Sequence, residues 1–376
     1  MRRPHALLAL VLTALPLIGP LSTTAAAPAR TAGIPELGQW QRQMVTFGRK
    51  SCEYLRQPHT NDELLSAVYY DAIDVFLQIA DYTRDPTWAA CVQRAKTIYR
   101  DQYVLANQGK VPGYWNFTNG LTRDYFKTGD VASKEAVITL SQNAAYTPDL
   151  TPLDWTASAW RSREVAYAIM SYINAEKLGA PPRARLARHV DQALGHIDQW
   201  FVAKSFRCPR DCDPAAAKFQ YYIQPFMVGL TAEALIMHFD KTHDPRVVPA
   251  IKTALDWLWT HAWVPADESF WYENWVSDPG QPFGPRPGSP DLNLLIAPAY
   301  AWLYRQTGDV TYRQRGDQIF AGGVKRAFLA GNKQFNQSYW TSFDFVRWRA
   351  AGPELPAASP GTRGPAPATA PAAPRR

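Results

Sequence analysis

The sequence lacks the short motifs that mark metal, nucleotide and acyl-transfer sites. It contains no His-x-x-x-His or Glu-x-x-His pair, no glycine-rich phosphate loop and no nucleophile elbow. Its 7 histidines are few and scattered, at positions typical of helices or turns. These absences argue against the familiar catalytic metal sites and nucleotide folds, so we expect neither a metal nor a cofactor.

Long apolar runs are missing after the N-terminus. The chain opens with Met1-Arg2-Arg3, continues with an apolar run from Ala6 to Leu21, and then has small residues over 25–29. This arrangement is typical of a secretory signal peptide and is too short for a membrane span. We expect residues 1–29 to be cleaved and the mature protein to be secreted, either extracellular or periplasmic, with no membrane span.

Residues 350–376 lack the apolar side chains that a folded core needs. Proline, alanine and glycine make up most of this segment, which predicts a disordered tail. The remaining residues, 34–349, are long for one domain but suit a ring of helical hairpins. The sequence therefore predicts a signal peptide, one folded domain and a tail.

Residues 34–349 carry no large excess of positive or negative charge. The chain has 40 basic and 33 acidic residues, but the basic excess falls largely in the two terminal segments. The domain is therefore close to neutral, and no basic-aromatic motif for nucleic acid occurs. We expect a monomer that has no nucleic-acid partner.

The chain has only 4 cysteines. In a secreted protein an even number favours disulfides, here Cys208 with Cys212 within one loop and Cys52 with Cys91. The second bond would join the N-terminal segment to the first helical hairpin. A Cys-x-x-x-Cys metal site is the alternative, but no histidine cluster accompanies it.

The sequence does contain a pattern that ends a helix, which we call a stop, and this pattern recurs five times. Before each stop, apolar residues repeat at helical spacing, and a second helical stretch follows at once. Glycine can close the first helix in the left-handed conformation, and the following aspartate can cap the next helix. The five stops end at Asp85, Asp130, Ala180, Asp244 and Asp309.

Clear β-strand signals are few, so the repeated stops predict an all-α chain of antiparallel hairpins. The spacing between stops varies too much for a regular open solenoid. The additional length falls in aromatic loops that precede the first helix of each hairpin, over 107–120, 146–160, 204–225 and 264–294. Such loops would gather at one face of a closed ring, where sites are commonly built. We therefore predict an (α/α) toroid of five to six hairpins.

The hairpins, the Thr-Gly-Asp stops and the Trp-Asn-Phe-Thr-Asn-Gly-Leu segment over 115–121 resemble the six-hairpin glycosidase superfamily. That group includes toroid glycosidases, and toroid polysaccharide lyases are related to it. The resemblance covers most of residues 60–349 and concerns the scaffold. A sixth hairpin would combine residues 34–55 with 335–349. The resemblance implies a secreted enzyme that acts on a carbohydrate at the loop-rich mouth of the ring.

Glycoside hydrolysis requires two carboxylates. The loops and the starts of the first helices offer Asp154, Glu164, Glu273 and Asp291. Asp154 and Asp291 rank first, because each precedes the first helix of a hairpin and ring closure could bring them to one cavity. Asp291 could instead cap its helix, and Glu164 could pair with a neighbouring arginine.

The same loops are rich in side chains suited to sugars. Aromatic rings stack on sugar faces, although large aromatics also fill gaps between helices. The candidate substrate-binding residues are Trp115, Trp155, Trp160, Arg161, Tyr221, Tyr222, Trp271, Trp275 and Trp340.

Two alternatives to a hydrolase stay open. A lyase would need a tyrosine base and a charge neutraliser, for which Tyr221, Tyr222, Gln224, Arg161 and Asn293 are available. The near-neutral domain gives little attraction for a polyanionic substrate. A non-catalytic carbohydrate-binding protein of the cell envelope is the other alternative, because no subfamily's catalytic motif is matched.

Overall fold

The computed structural model describes residues 33–205, 221–277 and 280–354, most of which are helical. The α-helices are α1 Leu37–Arg56, α2 Asn61–Ala67, α3 Ala72–Thr83, α4 Ala89–Lys96, α5 Asn119–Thr128, α6 Val131–Asn143, α7 Ser162–Lys177, α8 Ala184–Ile197, α9 Pro225–Thr242, α10 Val247–His261, α11 Asn293–Thr307, α12 Val310–Arg326, α13 Asn332–Trp340 and α14 Ser342–Ala351. Two π-helical segments, Thr97–Leu105 and Asp198–Val202, extend α4 and α8.

The predicted stops are built by glycine and aspartate. Gly129 ends α5 with φ 73° and Gly308 ends α11 with φ 71°, so both adopt the left-handed conformation. The side chains of Asp130 and Asp309 then accept hydrogen bonds from the first turns of α6 and α12. The capping chemistry predicted from the sequence is confirmed at these turns.

The helices form two concentric rings. The inner ring consists of α3, α5, α7, α9, α11 and the pair α13–α14, and successive members pack against each other. The outer ring consists of α1, α4, α6, α8, α10 and α12, each paired with an inner helix. Because each hairpin is antiparallel, the inner helices all point the same way. The predicted all-α toroid is confirmed.

The ring closes through the two ends of the described chain. Helix α1 packs on α13, and α13 packs on α3, so the sixth hairpin joins residues far apart in sequence. The Asn336 side-chain amide donates to the carbonyls of Ala67 and Tyr69, both at 2.9 Å. The Gln78 amide donates to the carbonyl of Trp340 at 2.9 Å. These bonds fasten the last inner helix to the first.

A disulfide joins α1 to α4. Cys52 and Cys91 are bonded, as predicted from the sequence. The bond links two neighbouring outer helices, 39 residues apart in the chain. Cys208 and Cys212 lie outside the described residues, so their pairing stays a prediction.

The two ends of the ring differ in their connections. At the loop end, long segments lead from α4, α6, α8 and α10 to the next inner helix; at the turn end, each hairpin closes within a few residues. Two short antiparallel β-pairs lie among the long segments. Strand β1 Tyr221–Ile223 pairs with β4 Asn274–Val276, and β2 Trp263–Val264 pairs with β3 Ser269–Phe270.

An aromatic plug separates the two ends inside the ring. It consists of Tyr70, Phe117, Tyr167 and Trp340, all of which are buried. The Phe117 ring lies 5.3 Å from the Tyr167 ring and 5.9 Å from the Trp340 ring, in edge-to-face geometry. The toroid is therefore a ring with two separate mouths.

Within the described ranges, no helix is long and apolar enough to cross a membrane. The predicted signal peptide and nearly all of the predicted tail fall outside these ranges. The described chain continues past residue 349, where Arg305 forms an ion pair with Glu354.

Candidate functional site

A pocket of about 170 Å³ opens at the loop end, and we call it the loop-end pocket. It lies at the N-termini of α7 and α9, where the loops before these helices meet the segment between β3 and β4. Its lining residues are Trp160, Arg161, Arg163, Glu164, Gln224, Phe226, Met227 and Tyr272.

Glu164 is the buried carboxylate of this pocket. It lies in the first turn of α7 and is only 3% exposed. One oxygen, Oε1, accepts a hydrogen bond from Arg163 Nη2 at 3.0 Å. The other, Oε2, has no hydrogen-bond partner among the described residues. A buried carboxylate oxygen without a protein partner is costly unless a ligand or water completes it.

A close backbone approach holds Glu164 in place. A Cβ atom on Gly113 would lie 2.9 Å from Glu164 Cγ, so only glycine lets this loop pack against the carboxylate side chain. The neighbouring residues are fixed by Tyr99, whose hydroxyl donates to the Trp115 carbonyl and accepts from the Phe117 N–H at 2.9 Å. The sequence at 113–117 therefore forms one wall of the site.

A second carboxylate, Glu273, lies at the same end. Its Oε2 accepts hydrogen bonds from the Tyr222 hydroxyl and from Gln224 Nε2, the latter at 3.0 Å. Gln224 also lines the pocket that contains Glu164. The pairing of Tyr222 with Trp275 across β1 and β4 positions the Tyr222 hydroxyl for this contact. Glu273 itself is not among the residues that line the pocket, so Gln224 is the side chain that links it to the site.

Arg163 contacts more than Glu164. Its guanidinium lies 5.2 Å from the centroid of the Tyr114 ring, a cation–π contact. Burial is the main cause that raises the pKa of Tyr69, which lies close to Arg163, to about 12. Burial also lowers the pKa of Lys333, whose ammonium lies 5.1 Å from the Tyr69 ring centroid. Cationic groups and phenols therefore surround the carboxylate.

Helix α8 holds the loop that carries Trp160 and Arg161. Four polar side chains on one face of α8 and its π-helical extension bond to the backbone or side chains of residues 146–159. We call them the loop clasp: His189, Gln192, His196 and Gln199. His196 Nε2 donates to the Thr156 carbonyl at 2.9 Å. Burial lowers the pKa values of His189 and His196 to about 4, so both imidazoles are neutral near pH 7.

Several residues predicted from the sequence meet here. Glu164, Trp160 and Arg161 line the pocket, and Tyr222 bonds to Glu273. Trp115 packs on Tyr69 at 4.7 Å between ring centroids.

Other predicted residues lie elsewhere. Asp154 and Trp155 are exposed, on a short turn over 153–156. Asp291 Oδ1 accepts a hydrogen bond from the Phe328 N–H at 2.6 Å. Neither aspartate lines the loop-end pocket. Their catalytic role stays a prediction.

The remaining aromatic candidates mostly pack the core. Tyr221, Trp271 and Trp340 are buried, and the Tyr221 hydroxyl donates to the Trp200 carbonyl. Trp275 is half-buried, and the Arg286 guanidinium lies 4.3 Å from its ring centroid.

Sequence reasoning missed Tyr69, Gly113, Phe226 and Met227 as residues of the site. The apolar spacing assigned Tyr69 to a helical stripe, but α3 begins at Ala72, because Tyr70 and Asp71 have φ of 62° and 52°. Tyr272 belongs to the aromatic loop over 264–294, whose rings were predicted to face a sugar. Its ring stacks on Phe226 at 5.4 Å.

No group of three or more His, Cys, Asp or Glu side chains in the part of the chain that the structure describes could hold a metal ion. The lining of the loop-end pocket offers one carboxylate, two guanidinium groups, one amide and one phenol.

Comparisons with known proteins give one structural likeness and no match in sequence. No protein-family model matches the chain, and no curated protein matches it in sequence. Among solved structures, one described as a D-mannose isomerase aligns with 87% of this chain and 99% of its own, at 11% identity and a TM-score of 0.49. The fold assignment rests on the helix contacts of this chain itself.

Proposed function

We propose that the protein is exported and hydrolyses a glycosidic bond in a polysaccharide or oligosaccharide, with Glu164 and Glu273 as the acting carboxylates. The observation that carries the proposal is Glu164: it is buried, it is paired with Arg163 on one oxygen, and its other oxygen is unpartnered at the pocket.

The surroundings of Glu164 suit a sugar. Trp160, Phe226 and Tyr272 offer ring faces, and Arg161 and Gln224 offer hydrogen-bond donors. Sugar rings present apolar C–H faces and polar edges, so an aromatic wall with a few convergent polar groups is a fitting environment. A cavity of about 170 Å³ is small, so it would hold one part of the substrate while the rest lies across the open mouth.

The two glutamates have different partners, which suggests different roles. The Arg163 guanidinium and the N-terminus of α7 both favour negative charge on Glu164. Glu164 would therefore act as the nucleophile or as the base that activates water. Glu273 would then protonate the leaving oxygen, with Tyr222 and Gln224 holding its carboxyl group in position.

The lyase alternative finds weaker support. A tyrosine base must lose its proton, but burial raises the pKa of Tyr69 to about 12 and also raises the pKa of Tyr272. The Tyr222 hydroxyl already donates to Glu273, and Asn293 is buried against the carbonyls of Glu268 and Ile319. These contacts favour structural roles for the residues that a lyase would use.

A panel of purified polysaccharides tests the proposal. We expect the protein to release new reducing ends without the ultraviolet absorbance of unsaturated products. Reducing ends with that absorbance would identify a lyase, and binding without either product would identify a carbohydrate-binding protein. Glu273→Gln should abolish the release, whereas Glu135→Gln, an exposed substitution on α6, should leave it unchanged.

A further inference from the structure

A cavity of about 500 Å³ lies at the turn end of the ring, and we call it the turn-end cavity. It runs between inner helices α3, α5, α7, α9 and α14 and reaches Trp340 of the aromatic plug. It shares no lining residue with the loop-end pocket. Its volume falls within the range of about 300–1,000 Å³ that is common for small-molecule sites.

The charged side chains of this cavity are largely paired with one another. Arg123 Nε bonds to Asp74 Oδ1 at 2.6 Å, and Arg347 Nη2 bonds to Asp344 Oδ1 at 2.6 Å. A third ion pair joins Lys127 to Asp81. Lys177 and Asp240 also line the cavity and attract each other at longer range. Every basic side chain of the lining therefore has an acidic counterpart.

Glu233 is the acid that remains. It lines the cavity from α9 and is 8% exposed. Among the described residues it forms no hydrogen bond or ion pair; it interacts only at longer range, with Asp344, Arg347, Asp240 and Asp74. Thr122, which also lines the cavity, has a buried hydroxyl without a partner. Buried polar groups are rarely left unpartnered, so both point to a ligand.

We propose that the turn-end cavity binds a small hydroxylated primary amine, such as an amino sugar, whose ammonium group pairs with Glu233. A primary ammonium offers three donors, and its positive charge would favour the ionised form of Glu233, whose pKa burial raises in the free protein. Trp340 and Phe126 supply aromatic faces for a cation or for the C–H face of a sugar ring. Thr122 offers its free hydroxyl to the ligand. This inference does not depend on the hydrolase activity.

Isothermal titration calorimetry of the full chain with D-glucosamine tests this inference. D-glucose and N-acetyl-D-glucosamine lack the ammonium group, so we expect each to bind at least tenfold more weakly. Glu233→Gln removes the charge and keeps the shape, and it should weaken D-glucosamine binding at least tenfold. Asp240→Asn, an exposed substitution at the cavity rim, should weaken it a few-fold without affecting the fold.

Two controls keep the site assignment open to refutation. Glu135→Gln, the matched surface change, should bind D-glucosamine as the wild type does. If Glu164→Gln abolishes binding while Glu233→Gln does not, the amine binds at the loop end and the inference is wrong. Equal affinity for the three sugars, or no detectable binding of D-glucosamine, would also overturn it.

Discussion

The loop end and the turn end are built on the same inner helices, yet they differ in size and in charge. The loop-end pocket, of about 170 Å³, contains one buried glutamate with a free oxygen amid aromatic rings. The turn-end cavity, of about 500 Å³, is lined mainly by mutually paired charges. The larger cavity is therefore the one whose charged side chains are mostly paired with each other. Cavity volume alone would have selected the turn end.

Helix direction explains part of this difference. The N-termini of the inner helices face the loop end, and helix N-termini stabilise negative charge such as that on Glu164. Their C-termini face the turn end and stabilise cations such as Lys127 and Lys177. Asp240, in the last turn of α9, lies against this preference, whereas Glu233 lies near the middle of that helix. Burial is the main cause that raises the pKa of each.

The largest effect should come from exchanging glutamate for glutamine at the two ends. Glu164→Gln removes the charge from the proposed active carboxylate, so turnover should fall about 10³-fold. Glu233→Gln should leave turnover within about threefold, because the aromatic plug separates it from the substrate. Initial rates on the identified substrate provide the measurement. The reverse pattern would move the active site to the turn end.

The second prediction concerns Phe117 of the aromatic plug, which lies between the two ends of the ring. Phe117 is 1% exposed and contacts Tyr167 and Trp340, so Phe117→Ala should cost about 3–5 kcal/mol in the free energy of unfolding. Urea denaturation followed by circular dichroism measures this loss. Leu150→Ala, at a 96% exposed position, should change stability by less than about 0.5 kcal/mol. A loss of the same small size at Phe117 would mean that the plug is not packed as described.

More of the fold than of the site could be predicted from the sequence. Each hairpin stop depends on local chemistry, as at Gly129 and Asp130, and such chemistry is visible in a few adjacent residues. Ring closure was also inferable, because residues 34–55 and 335–349 were the segments left without partners. Their contact through α1 and α13 confirms the sixth hairpin.

The site is formed by long loops, and no local sequence pattern predicts the conformation of these loops. Glu164 was a candidate because it lies near a helix start, and Glu273 because it lies in an aromatic loop. Nothing adjacent in sequence showed that Gln224 bonds to Glu273 and lines the same pocket as Glu164. The turn-end cavity went unpredicted for a similar reason. Glu233 stands out as a charge within an otherwise buried helix, but its lack of a partner is a property of five helices together.

The third prediction concerns pH at the loop end. Burial lowers the pKa of His196 to about 4, against 6.5 when unfolded. The contribution of neutral His196 to the free energy of unfolding is therefore fully present above pH 6.5. It is lost as the pH falls from 6.5 toward 4, and the loss is about 2 kcal/mol at pH 5. His196→Gln keeps a donor for the Thr156 carbonyl and removes the titration, so its stability should fall less between pH 7 and pH 5. His261→Gln, at an exposed position, should follow the wild type.

The smallest effects concern the stability of variants at Asp154 and Asp291, the two carboxylates that rank first from the sequence. Asp291→Ala leaves the Phe328 N–H without its acceptor, so stability should fall by about 1 kcal/mol. Asp154 is exposed, and its side chain makes no hydrogen bond with the described residues, so Asp154→Ala should change stability by less than about 0.5 kcal/mol. Thermal denaturation of the two variants should resolve this difference.

The same two positions offer the sharpest test between the candidate carboxylates, because asparagine removes the charge while keeping the size. If catalysis depends on Glu164 and Glu273, Asp154→Asn and Asp291→Asn should both keep turnover within about threefold. If the two aspartates act as the sequence predicted, each change should abolish turnover with little shift in melting temperature. Asp291→Asn retains an oxygen for the Phe328 N–H, so a loss of activity there could not be attributed to a lost backbone contact. A loss of activity at both positions would place the chemistry on the exposed rim of the loop end, outside the pocket that contains Glu164.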